Sequence, residues 1–216
     1  MIIIRREQNL TLIKMDKKVI LDYFRSNLFE AFAAYNAWKT LAFSKSTELL
    51  GQEKANKYVK IQNYHAQFFT ITEKSLMVNF IVSTLHAFDK HYKEPYSLYL
   101  YDDEKTKEFV AANKVIIDEL FSVRNKVLAH RDQDAQNYKI PSVERMDKFY
   151  ISMFKFYNEL TNEFERSSTM FDNAEEVSRD IENLFMNLER GETIRLKEID
   201  IKWLWEQDDK KISDII

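Results

Sequence analysis

Apolar residues along this chain recur at spacings of three and four over long stretches, and nowhere alternate at period two for long enough to propose a sheet. The clearest stripe is Met146, Phe149, Tyr150, Met153, Tyr157, Leu160 and Phe164, which predicts a helix starting after Pro141 with Ser142 as its cap. A first helix is expected from about Lys17 to Leu50, with Val19, Tyr23, Leu28, Phe32, Tyr35 and Leu41 among its apolar positions and Gly51 placed to end it. A second runs from about Glu53 to Lys90, crossing Phe68-Phe69 and the block Leu76 to Leu85, with Pro95 closing the turn beyond. A third begins near Asp102 or Asp103 and continues to about Arg131, a length of about 45 Å. A last one covers about Ala174 to Arg190. Only two Gly and two Pro interrupt the chain, at Gly51, Pro95, Pro141 and Gly191, so the segments between them can be long helices.

The expected fold is therefore all-α, an antiparallel helical bundle of about five main helices. One helical domain over 16–190 suits the 216 residues. Residues 1–15 are expected to form an N-terminal arm, open between a short strand, a helix extension and a mobile segment. Residues 191–216 are expected to form a helical tail packed on the domain, carrying Trp203 and Trp205. There is no internal repeat or low-complexity tract.

Composition narrows the class. A hydrophobic fraction of 45%, with 16 Phe and 11 Tyr, supplies enough apolar surface to offset the entropy of ordering a core, so disorder is not expected. Charged residues make up 31%, but the signs nearly cancel to a net −3. Broad neutralisation of phosphates calls for a basic excess, so any nucleic-acid contact must be local. With no cysteine, disulfides, thiolate metal sites and Cys nucleophiles are excluded. The apolar run Met1-Ile2-Ile3-Ile4 is too short for a signal-peptide core, and no stretch approaches the ~18 apolar residues of a membrane span. The cytoplasm is the expected location, with no membrane partner.

The third predicted helix carries the unusual chemistry. One of its stripes is Ile116, Leu120, Val123 and Val127, and its next position is His130. The other is Ile117, Phe121, then Arg124, then Leu128. Two ionisable side chains thus interrupt faces that should pack against something apolar. An unpaired buried Arg is costly, so Arg124 needs a carboxylate, a carbonyl cluster, a ligand or solvent at an interface. The bland alternatives are that Arg124 is satisfied by a neighbouring helix and that His130 simply ends its own. Residues six apart on a helix lie ~120° from each other, so one copy of the chain does not present a converged pair.

Other polar groups carry less. His65, His86 and His91 show no four-residue zinc spacing with a third ligand, so no metal site is expected. Asp102-Asp103 and Glu175-Glu176 lie near predicted helix starts, where negative charge is favourable in any case. No Gly-rich phosphate loop or Ser nucleophile motif occurs, and no cofactor is expected.

The segment Arg124-Asn125-Lys126-Val127-Leu128-Ala129-His130 resembles the motif of the HEPN superfamily: Arg, often followed by Asn or another polar residue, then His after four to six intervening residues. The closest branch looks like the abortive-infection AbiU-type proteins, through Arg124 to His130 followed by Asp132, Leu85-His86-Ala87-Phe88-Asp89 ending the preceding helix, and Ser97-Leu98 after it. The similarity of pattern runs from the first helix to about the fifth. It implies a HEPN-like bundle, usually a homodimer with two motifs facing each other, whose active members cleave RNA without a metal.

On that resemblance the chain is expected to be an endoribonuclease toxin or antiphage effector, restrained by an antitoxin or other regulatory protein. Cleavage by the RNA's own 2′-hydroxyl needs a base, an acid and positive charge on the crowded phosphate, and a two-fold interface supplies two His and two Arg. Arg124 would stabilise the phosphorane, His130 would act as acid or base, and Asn125 would position a phosphate oxygen or the histidine. Lys126 and Arg131 would hold RNA backbone, or be solvated charges; Asp132 would orient His130, or cap the loop. Two departures stand out: His86 sits where many AbiU-type proteins carry Arg, and Asp132 where another HEPN branch has a modifiable Tyr. His86 and Asp89, three apart, could pair locally. The alternatives are a non-catalytic HEPN module that binds RNA, nucleotide or protein, and a motif that only fixes a dimer.

Overall fold

The structure is a computed structural model, and it describes residues 17–89, 97–101, 104–129, 140–165 and 168–198. All regular structure among them is helical: α1 (Lys17–Phe43), α2 (Thr47–Leu50), α3 (Gln52–Tyr64), α4 (Ala66–His86), α5 (Glu104–Ala112), α6 (Lys114–Val123), α7 (Val143–Glu165) and α8 (Glu176–Glu198). Short 3-10 turns at Leu98–Leu100 and Asp172–Glu175 and a π-helical segment at Arg124–Ala129 complete the set. The all-α expectation holds. The arm at 1–15, Pro95 and the Trp203/Trp205 tail lie outside the described residues.

The expected long helices are divided at specific residues. α1 stops at Phe43, where the Ser44 hydroxyl donates to the Leu41 carbonyl (2.6 Å) and accepts from Gln62, satisfying groups the next turn would have used. Val19 and Tyr23 are exposed, and the buried face of α1 runs instead through Ile20, Phe24, Leu28, Phe32 and Tyr35. Gly51 ends α2 at φ 76° and ψ 159°, a backbone region open essentially to glycine alone. His65 (φ −121°, ψ 38°) separates α3 from α4. Asn113 (φ −103°, ψ 10°) separates α5 from α6, its side-chain amide donating to the Phe109 carbonyl (2.9 Å) alongside its own backbone N–H (3.1 Å). Beyond Pro141, α7 buries Met146, Phe149, Tyr150, Met153, Tyr157 and Leu160, the stripe its spacing predicts. α8 continues through Gly191 to Glu198: a single exposed glycine costs a helix only about 1 kcal/mol, too little to stop it.

The chain divides into two compact units. One takes residues up to Phe29 together with Ile81–Thr169, and so holds the start of α1, the end of α4, and α5 to α7. Its core is aromatic: Phe109 stacks on Phe156 at 4.2 Å, Phe24 meets Tyr157 edge-on at 5.8 Å, and Phe88 lies 6.1 Å from Phe149. The other takes Glu30–Phe80 and the residues from Met170 on. In it Phe185 of α8 is fully buried, stacked at 4.2 Å on Tyr58 and at 5.4 Å on Phe69, with Leu41 and Ile61 in the same cluster.

Candidate functional site

Arg124 lies in the first unit, where α6 passes into π-helical bonding. The stripes of α6 pack as their spacing requires, with Ile116, Ile117, Leu120 and Val123 buried. Arg124 follows on the edge of that face, its side chain 28% exposed. Its partner is Asp89: Nη1 donates to Oδ2 at 3.0 Å, from a carboxylate that is itself 21% exposed. Nε donates to the neighbouring Asn125 Oδ1 at 3.3 Å, a weaker bond, and the guanidinium carbon sits 4.7 Å from the centre of the Phe121 ring one turn back. Nη2 has no partner among the described residues. Three neighbours thus hold the planar group in one orientation and leave one nitrogen edge for something else.

Asp89 is presented by a hydrogen-bonded corner. After α4 ends at His86, the Phe88 amide bonds the Leu85 carbonyl (2.9 Å) and the Leu98 amide bonds the Ala87 carbonyl (2.9 Å). The Ser97 hydroxyl accepts from the Tyr99 amide at 3.3 Å, capping the 3-10 turn. Leu85, Ala87, Phe88, Ser97 and Leu98 are all buried. The stretches Leu85 to Asp89 and Ser97-Leu98 are therefore one local structure, and it presents the half-buried carboxylate that meets Arg124. The local pairing considered for His86 is replaced by this one: Asp89 turns to Arg124, and His86 is exposed.

Asn125 and Lys126 are both exposed beside Arg124. His130, Arg131 and Asp132 lie outside the described residues, as do His91 and Asp102-Asp103. Among the described residues no three His, Asp or Glu side chains are grouped to hold a metal ion, and no helix is long and apolar enough to cross a membrane.

Next to the ion pair opens a cleft of about 520 Å³. Asp89 and Phe121, two of the three side chains that hold Arg124, line one end of it. Lys107, Val110, Ala111, Lys114, Ile117 and Asp118 line its length. Spaced by threes and fours, these positions form one continuous face across the α5–α6 junction, and Arg124 is the next position after Phe121. Sequence reasoning missed Asp89 as the partner, since nothing local marks a contact 35 residues away. The Phe121–Arg124 pair, three apart on one helix, was the available signal.

No family model, no curated protein and no solved structure matches this chain.

Proposed function

We propose that the chain is a cytoplasmic, metal-independent endoribonuclease of HEPN type, a toxin or antiphage effector acting as a homodimer under the control of an antitoxin or other regulatory protein. The observation that supports it best is the guanidinium of Arg124, fixed by Asp89, Asn125 and Phe121 with Nη2 left over. An arginine already oriented before substrate arrives stabilises developing phosphorane charge without reorganising at the moment of reaction. In this reading His130 supplies the acid or base, Asn125 assists, Lys126 and Arg131 hold the RNA backbone, and Asp132 orients His130. The in-line attack of a 2′-hydroxyl expels the 5′-oxygen and leaves a 2′,3′-cyclic phosphate. Metal independence and the dimer rest on the resemblance of Arg124-Asn125…His130 to the HEPN motif.

A second reading has a specific observation in its favour. The Arg124 charge is already balanced within the chain by Asp89, which suits a module that binds RNA or nucleotide, or a protein partner, and cleaves nothing. Purified protein incubated with mixed RNA in EDTA, beside an Arg124→Ala/His130→Ala variant, separates the two. Cleavage by the wild type alone, with cyclic-phosphate ends, supports the nuclease. Binding without cleavage supports the module, and equal cleavage by both proteins refutes the nuclease assignment.

A further inference from the structure

We propose that the cleft along α5 and α6 is a nucleobase subsite, which takes one unstacked base of a bound nucleotide while the adjoining phosphate sits on Arg124. Assigning that nucleotide to an RNA substrate rests on the ribonuclease reading; the binding itself does not.

The walls come first. Phe88 and Tyr99 stand on the corner that presents Asp89, and Phe121 stands on α6, so three aromatic rings border a space whose apolar wall is continued by Val110, Ala111 and Ile117. Aromatic and aliphatic walls favour a flat ring that loses its water there, and a stacked base is favoured irrespective of its identity. The volume falls within the ~300–1,000 Å³ common to small-molecule sites.

Charge then separates base from phosphate. Among the described residues the lining carries two carboxylates, Asp89 and Asp118, and two ammonium groups, Lys107 and Lys114, whose formal charges cancel. The ammoniums are engaged locally, Lys114 with Asp118 and Lys107 with Glu104 at 3.7 Å. Such a lining does not attract a bare anion. It offers acceptors for ring and amino N–H groups and donors for ring carbonyls, which are the groups a neutral base displays. Beyond the lining at the Asp89–Phe121 end lies a fifth charge, Arg124, with its Nη2 edge unused among the described residues. Base in the cleft and phosphate on Arg124 is the placement that satisfies both halves of a nucleotide. A phosphate within the cleft would face two carboxylates.

The test is calorimetric titration of the intact protein with the four nucleoside 5′-monophosphates, their nucleosides, and inorganic phosphate. Ala111→Trp fills the cleft from an exposed position, and Ala112→Trp, the same substitution one residue on and outside the lining, controls for the indole itself. Circular dichroism confirms that both fold. Nucleotides are expected to bind more tightly than nucleosides or phosphate, with affinity falling by about tenfold or more in Ala111→Trp and unchanged in Ala112→Trp. No nucleotide binding at about millimolar concentration, or equal binding by both variants, overturns the proposal. RNA cleavage is followed alongside. Wild type that binds nucleotide in the cleft but cuts no RNA refutes the nuclease reading and keeps the subsite. RNA cut at equal rate and with equal base preference by wild type and Ala111→Trp does the reverse.

Discussion

If Asp89 is what orients Arg124, the two must be energetically coupled, and the size of the coupling can be worked from the contact. Nη1 and Oδ2 are 3.0 Å apart, in side chains 28% and 21% exposed. Two unit charges about 4 Å apart attract by about 4 kcal/mol at an effective dielectric constant near 20. Partial desolvation of both groups offsets most of that. Fully exposed pairs retain ~0.2–1 kcal/mol, and charge-assisted hydrogen bonds contribute ~1.5–3 kcal/mol. A pair this covered should fall between them, near 1 kcal/mol of coupling. The assay is urea unfolding of wild type, Asp89→Ala, Arg124→Ala and the double variant. Asp89→Ala alone should cost about 1–2 kcal/mol, a fall in Tm of roughly 2–8 °C for a chain this size. The two single losses should exceed the loss in the double variant by about 1 kcal/mol. Losses that add to within ~0.3 kcal/mol would refute the reasoning, because independent sites add. Arg124→Lys should not recover the coupling in full, since an ammonium cannot present the separate Nη1 and Nε edges that meet Asp89 and Asn125. Where RNA is cleaved, Asp89→Asn should lower kcat about tenfold, or ~1.4 kcal/mol, with KM little changed.

The two glycines should respond to alanine with opposite signs in thermal melts: Gly51→Ala loses about 1–3 kcal/mol through its φ of 76° and ψ of 159°, although nothing lies within 4 Å of the added Cβ, and Gly191→Ala inside α8 gains about 0.5–1 kcal/mol. Tyr150 is buried, and burial raises the pKa of its phenol despite an opposing hydrogen bond with Thr84 at 2.9 Å. Below pH ~10 the phenol is protonated in both states; above it the unfolded chain has lost the proton that the folded chain keeps, so stability falls as pH rises, by at most about 1.4 kcal/mol per pH unit. Urea midpoints of wild type and Tyr150→Phe between about pH 9 and 11 isolate this slope, which should vanish in the variant. At neutral pH the same variant strands the buried Thr84 hydroxyl at a cost of about 1–3 kcal/mol, and Tyr150→Phe with Thr84→Val should recover part of it in the same titration. Phe185→Ala removes the ring stacked on Tyr58 and Phe69 and should cost about 3–5 kcal/mol by denaturant titration.

How much of this was legible in the sequence depended on which interactions are local. The α7 stripe was legible from Met146 to Leu160, where six of its positions are buried at the spacing expected; the Phe164 side chain lies outside the described residues. The breaks at Ser44, His65 and Asn113 were not. Each is a polar side chain or a backbone adjustment inside a run of helix formers, where propensity differences of a few tenths of a kcal/mol decide nothing. Gly191 misled for the complementary reason. Glycine is rare in this chain and so looks like punctuation, yet one exposed glycine leaves the ladder of α8 intact.

The candidate site divides along the same line. That Arg124 needed a partner was legible, because a guanidinium on the stripe of Ile117 and Phe121 must be satisfied by something. That the partner is Asp89 was not, because it depends on a corner folded by the Leu98–Ala87 hydrogen bond far from α6 in sequence. The cleft was hidden differently. Its face reads Lys107, Val110, Ala111, Lys114, Ile117, Asp118, Phe121, a mixture that hydropathy scores as the solvated side of a helix. A wall that accepts a base must look like that, since it needs apolar surface to exclude water and polar groups to replace the hydrogen bonds that water made. The residues hardest to tell from an ordinary exposed helix face are therefore the ones a nucleotide would select, and the oriented arginine at the end of that face is what separates the two.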